Sequence, residues 1–169
     1  MRKPDSYSVL IFVAAAVIVA DQLTKWWILA QFSLYETRII IPGFFNLTSI
    51  RNTGAAFGFL AGNESGWRPW FFGIIALVAL VAIVFLFRQY RDKGSLYAYA
   101  LASIAGGAIG NLIDRVRFGA VVDFLDFYIG RYHWPAFNVA DSAIVVGVGL
   151  FLLAGFVYPE PEEGGSHTR

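Results

Sequence analysis

The 169-residue chain has no cysteine. Disulfides, thiolate metal sites, a cysteine nucleophile and lipidation of the protein's own cysteines are therefore excluded. Charge is scarce too. Asp, Glu, Lys and Arg make up 15% of the residues, where an ordinary soluble domain carries roughly a quarter. Thirteen basic and twelve acidic side chains leave a net charge of +1, too little to recruit nucleic acid or a charged partner. Two histidines, His133 in a connection and His167 near a polar end, do not make a histidine-rich metal site. No metal and no other cofactor is expected.

What the chain has in quantity is hydrocarbon, at 57% hydrophobic residues. A membrane span needs about 20 mostly apolar residues. Four stretches reach that length, at about 8–30, 67–87, 96–113 and 138–158. The first follows Arg2 and Lys3 and has small residues near Ala20, as a cleavable leader would. Apolar residues resume at WWILA, however, and carry the run to full span length, so an uncleaved helix is expected. Residues 1–158 read as one integral membrane domain, without internal repeats. The tail PEPEEGGSHTR, residues 159–169, reads as polar and disordered.

Four spans put both termini on one side. Arg88, Arg91 and Lys93 crowd the short connection RQYRDKG, whereas Arg38, Arg51, Arg115, Arg117 and Arg131 are diluted over two long ones. Short basic segments stay cytoplasmic, so both termini are expected to face inward. With that orientation all five tryptophans fall near the outer interface, and Tyr90, Tyr97, Tyr99 and Tyr158 near the inner one. The first outer connection has β-branched and aromatic residues on either side of Pro42-Gly43, a pair suited to a type II turn. Two strands, about 37–41 and 44–50, are expected in a small sheet on the outer leaflet, within an outer β segment of about 33–62.

The polar residues of the spans gather at this outer level. Asp21 and Lys25 share a helix face four residues apart and should pair. Asn111, Asp114 and Arg115 close the third span, and Asp114 with Arg115 reads as a solvated interfacial pair. Gly106 and Gly110 form a small-xxx-small packing pattern. Asn138 suits an N-cap. His133 reads as a loop residue, and Asp126, three residues from Asp123, as a decoy. Asp141 is different: it lies about 5 Å below the start of its helix, with no cation in the stretch. A carboxyl placed there is costly and marks function more often than packing. Asp123 lies in a connection that must return to the same rim. Should the two meet, they share one proton and supply a base and an acid together, which is the chemistry of aspartic peptidases. From the residues alone three readings stay open: a catalytic dyad, the relay of a proton-coupled transporter, and a structural network.

Five motifs narrow the choice. DQLTK (21–25), RNTGAAFGFL (51–60), GGAIGNLIDR (106–115), VVDFLDF (121–127) and FNVADSA (137–143) stand in an order that resembles the lipoprotein signal peptidases, or signal peptidase II. The resemblance implies a mainly α membrane protein of the bacterial inner membrane, with four transmembrane helices and a small periplasmic β-sheet. It implies an aspartic endopeptidase that cleaves prolipoproteins on the amino side of a diacylglyceryl cysteine. Asp123 and Asp141 take the catalytic positions. Asn52, Gly54, Asn111, Arg115 and Asn138 take positions that hold substrate or the aspartates, and Asp21 and Lys25 take those of structural support. The implied partners are the lipidated prolipoprotein, membrane lipid and cyclic-peptide inhibitors such as globomycin. A monomer that binds no nucleic acid is expected.

Overall fold

Four apolar runs become four helices in a computed structural model, which describes residues 5–54 and 68–159. Arg2, Lys3, Trp67, the 55–62 part of the outer segment and residues 160–169 of the tail lie outside the described residues. The helices are α1 (Ser6–Gln31), α2 (Arg68–Tyr90), α3 (Ser95–Phe118) and α4 (Val139–Val157). Each is long and apolar enough to cross a bilayer. All three of the others pack on α3, whose face is the most buried of the four. Small residues on α3 make that possible. A methyl group at Gly110 would stand 2.6 Å from Asp21 Oδ2 on α1, so the small-residue pattern serves close helix approach, as expected.

At one end of the bundle lies an antiparallel sheet of β1 (Thr37–Ile41), β2 (Phe45–Asn52), β3 (Val121–Ile129) and β4 (Tyr132–His133), in that order. The β1–β2 turn is the one the Pro-Gly pair predicts. Gly43 has φ 80°, and Phe44 N–H donates to the Ile41 carbonyl at 3.1 Å. The two strands expected from sequence are therefore present, with β2 running two residues further, to Asn52. Strands β3 and β4 were not expected. β3 is buried along both faces for most of its length, so VVDFLDFYI lacks the alternation that marks a half-exposed strand.

Two apolar clusters hold the molecule. Val9, Ile83, Phe87 and Leu101 join α1, α2 and α3 in the half far from the sheet. Ile28, Phe32, Val122 and Phe124 fix the end of α1 beneath β3. Every buried polar side chain among the described residues belongs to the sheet or to the helix ends that meet it, from Asp21 and Lys25 to Asn138. Trp26, Trp27, Trp70 and Trp134 are exposed at that same end, as an interfacial aromatic belt requires.

Candidate active site

Asp123 is the third residue of β3 and is 2% exposed. Both of its oxygens are held. Asn138 Nδ2 donates to Oδ1 at 2.7 Å, and Asn52 Nδ2 donates to Oδ2 at 2.9 Å. Asn52 Oδ1 in turn accepts from the Gly54 N–H at 3.0 Å, which fixes the direction of its amide. Burial pushes the Asp123 carboxyl up to about 7, and the charge of Asp141 adds to the effect. The two amide hydrogen bonds and the field of Lys25 oppose that rise and are outweighed.

Asp141 lies in the first turn of α4. Asn138 is the expected N-cap: its Oδ1 accepts from the Asp141 N–H at 2.9 Å. A carboxylate at this place also meets the positive end of the helix dipole. Asn111 Nδ2, on α3, donates to Asp141 Oδ1 at 2.7 Å. Asn138 is thus bonded to both acids, through its amide nitrogen to Asp123 and through its oxygen to the backbone of Asp141. Fully buried, it stands behind them and not in the cavity they face.

Beneath the acids is a charged cluster. Lys25 Nζ lies 2.9 Å from Asp21 Oδ2, the pair expected from spacing, and also 2.9 Å from Asp114 Oδ2. It donates a third bond to Asn111 Oδ1 at 3.0 Å, which turns the other end of that amide towards Asp141. The flanking carboxylates act alike. Asp21 Oδ1 accepts from the N–H of Ala140, the residue before Asp141, at 2.9 Å. Asp114 Oδ2 accepts from the N–H of Val122, the residue before Asp123, at 3.0 Å. One lysine therefore ties together the two backbone segments that carry the acids. Gln22 bridges the same carboxylates, at 3.1 Å from Asp21 and 3.0 Å from Asp114.

This corrects the reading of Asp114. It is 1% exposed and paired with Lys25 across the bundle, not in a solvated pair with Arg115. Its spacing held one clue, since Asp114 follows Asn111 by three residues and shares its helix face. Neither the role of Gln22 nor that of Asp114 was anticipated. His133 is also more than a loop residue, since it lies in β4 with Nδ1 2.8 Å from Asp126 Oδ1. Asn46 Nδ2 donates to the other oxygen of Asp126 at 2.8 Å. An odd separation along a strand puts Asp126 on the opposite face from Asp123, away from the Asn52–Asn138 pair.

Asp123 and Asp141 open onto one cavity of about 550 Å³. Asn52, Gly54, Asn111 and Arg115 line it with them, and Trp134, Pro135 and Ala136 add a lip the sequence did not signal. Ile144, Val145 and Val146 carry the wall along α4, a helix long and apolar enough to cross a bilayer. Arg115 brings a cation to the polar end, within the field of Asp141, Asp123 and Asp114. The arrangement offers two carboxyls sharing a low-dielectric site, amides to hold an extended backbone, and an apolar track leading to the lipid.

Known proteins resemble this chain in sequence and in fold. The family model for signal peptidase (SPase) II matches residues 13–157. A lipoprotein signal peptidase of Syntrophus aciditrophicus is 47% identical over 163 residues, covering 96% of this chain and 99% of that protein. Another, of Syntrophotalea carbinolica, is 53% identical over 152 residues, covering 90% and 93%. A solved bacterial membrane enzyme at 2.3 Å resolution superposes with a TM-score of 0.75 at 37% identity, covering 92% of this chain and 94% of that one.

Proposed function

The chain belongs to the signal peptidase II family of multi-pass membrane peptidases that process prolipoproteins, and from that premise we propose that it is an aspartic endopeptidase in which Asp123 and Asp141 activate water between them. The observation that carries the reading is the convergence of two buried acids, from β3 and from α4, on one cavity and one bridging asparagine.

The pair holds one proton near neutral pH. The ionised carboxylate takes a proton from water as the water oxygen attacks the scissile carbonyl carbon. The protonated carboxyl gives its proton to the carbonyl oxygen. Collapse of the tetrahedral intermediate breaks the C–N bond, and the leaving nitrogen takes up a proton from the dyad. Asn52, Asn111 and Arg115 hold the substrate backbone against the acids, and Gly54 leaves room for its approach. Asn138 fixes the separation of the acids from behind. Cleavage falls on the amino side of a cysteine that carries diacylglycerol. A substrate anchored by two acyl chains and a signal helix does not leave the bilayer, so the site must lie at membrane level. The wall of Ile144, Val145 and Val146 gives that apolar load a track beside the acids. Cyclic-peptide inhibitors such as globomycin compete for the same cavity. The protein acts as a monomer in the bacterial inner membrane, with its site on the periplasmic face, and binds no nucleic acid.

The test is cleavage of a diacylglyceryl prolipoprotein in detergent by folded Asp123→Asn and Asp141→Asn variants. Loss of one member of an acid–base pair costs about 10²–10⁴-fold in rate, so each variant should fall by at least that factor. Retention of activity by either removes the dyad.

A further inference from the structure

α1 and α2 each pack along α3 and scarcely touch one another. The seam between them is a cavity of about 500 Å³, separate from the one that holds the aspartates. Leu10 and Ile11 of α1 and Leu80 and Val84 of α2 form its walls, and Ala105 and Ile109 of α3 its floor. Polarity enters only at the end remote from the sheet, with Tyr7 and Arg88. The ring of Tyr7 packs against Phe87 with centroids 5.4 Å apart and planes tilted by 59°, and the guanidinium of Arg91 lies 4.8 Å over the Tyr7 face. Among the ion pairs of the described residues Arg88 has none, and Arg91 meets only its neighbour Asp92, at 3.3 Å. Asp92 is 82% exposed, so that pair is screened by water.

A slot whose lining beyond Tyr7 and Arg88 has only apolar side chains does not suit a peptide, whose backbone would go unsatisfied there. It suits a hydrocarbon chain. Two guanidiniums and a phenol at its mouth, where helices end at the membrane surface, suit an anion attached to that chain. Basic pockets between transmembrane helices are general sites for anionic lipid headgroups. We propose that the seam between α1 and α2 holds an acyl chain of an anionic phospholipid, with its phosphate seated on Arg88 and Arg91 beside the Tyr7 hydroxyl. The site is independent of the aspartates and of the proteolytic reading.

The full chain, purified in detergent and titrated with phosphatidylglycerol, tests this by native mass spectrometry. Phosphatidylcholine and inorganic phosphate are the comparison probes. Wild type should retain phosphatidylglycerol in preference to phosphatidylcholine, and millimolar inorganic phosphate should not displace it. Arg88→Gln should bind phosphatidylglycerol about fivefold more weakly, as the loss of one cation at a membrane surface requires, with phosphatidylcholine unchanged. Ala14→Leu, which adds bulk to the slot's lining, should weaken both lipids. Where Ala14→Leu does not assemble, Ile11→Trp makes the same test from a wall position that is 65% exposed. Equal retention of the two lipids, or no loss in Arg88→Gln, overturns the headgroup assignment. Unchanged binding in the wall variants overturns the slot. Displacement by inorganic phosphate makes this a site for free anions and overturns the lipid assignment.

Discussion

A single side chain, Asp123, ties the pH response of this protein to its stability. Its carboxyl titrates near 7 in the fold against 3.8 ordinarily, chiefly because it is buried and secondarily because Asp141 is near. The folded state therefore holds this proton more tightly than the unfolded chain does. Stability from that proton is complete below about pH 4 and is lost as pH rises through 7. Two outcomes follow. Peptidase activity should decline on the alkaline side as the pair loses its shared proton, with a limb centred near 7 in a kcat/KM profile. Asp123→Asn, which cannot ionise, should be inactive, and its melting temperature should fall less than that of wild type as pH rises from 5 to 8. An equal fall in the two proteins would mean that this carboxyl does not carry the pH response. Asp126 supplies the contrast. Its two oxygens are occupied by Asn46 and His133 on the other face of β3, so Asp126→Asn should keep activity within about tenfold of wild type and lose chiefly thermal stability. Equal inactivation by Asp126→Asn would show that the wrong carboxyl of VVDFLDF has been assigned.

At the scale of elements, the N-terminus of α4 does two things through one residue. Asn138 caps the helix and donates to Asp123. Serine can still cap through its hydroxyl oxygen, but it lacks the second polar atom by which Asn138 reaches Asp123. Asn138→Ser should therefore keep most of the helix stability, while Asn138→Ala should lose about 0.5–2 kcal/mol. Both should move the alkaline limb of the pH profile upward, since a hydrogen bond that holds the ionised form of Asp123 is gone. A limb that stays in place in both variants would reduce Asn138 to a cap. How legible an element was depended on how its neighbours bury it. The β1–β2 hairpin declared itself through Pro42-Gly43, because a local turn needs only local residues. β3 did not, because its register with β2 and its contact with Phe124's cluster bury both faces. Asp114 was misread for a related reason. The residue beside it in sequence is Arg115, whereas its true counter-ion, Lys25, reaches it only after α1 and α3 have packed. Asp21–Lys25 was legible because both partners lie on one helix turn.

At the scale of the molecule, the distribution of polarity is lopsided: buried polar groups lie at the sheet end and the opposite halves of the helices are hydrocarbon. A proton relay would need ionisable groups through the full depth of the membrane, so this asymmetry favours a surface-facing site over transport. It also makes orientation decisive, because a lipidated substrate presents its scissile bond on one side only. The exposed tryptophans sit at the sheet end, while Arg88, Arg91 and Lys93 sit at the other, and short basic connections remain in the cytoplasm. The absence of cysteine makes the orientation directly measurable, since any introduced thiol is the sole one. Arg131→Cys, in the exposed turn between β3 and β4, should react with a membrane-impermeant maleimide in cells whose outer membrane has been opened. Asp92→Cys, in the exposed connection between α2 and α3, should react only after the inner membrane is lysed. The reverse pattern would put Asp123 and Asp141 on the cytoplasmic side, where a signal helix has no exit end to offer them, and the proteolytic role proposed for the pair would fall with it.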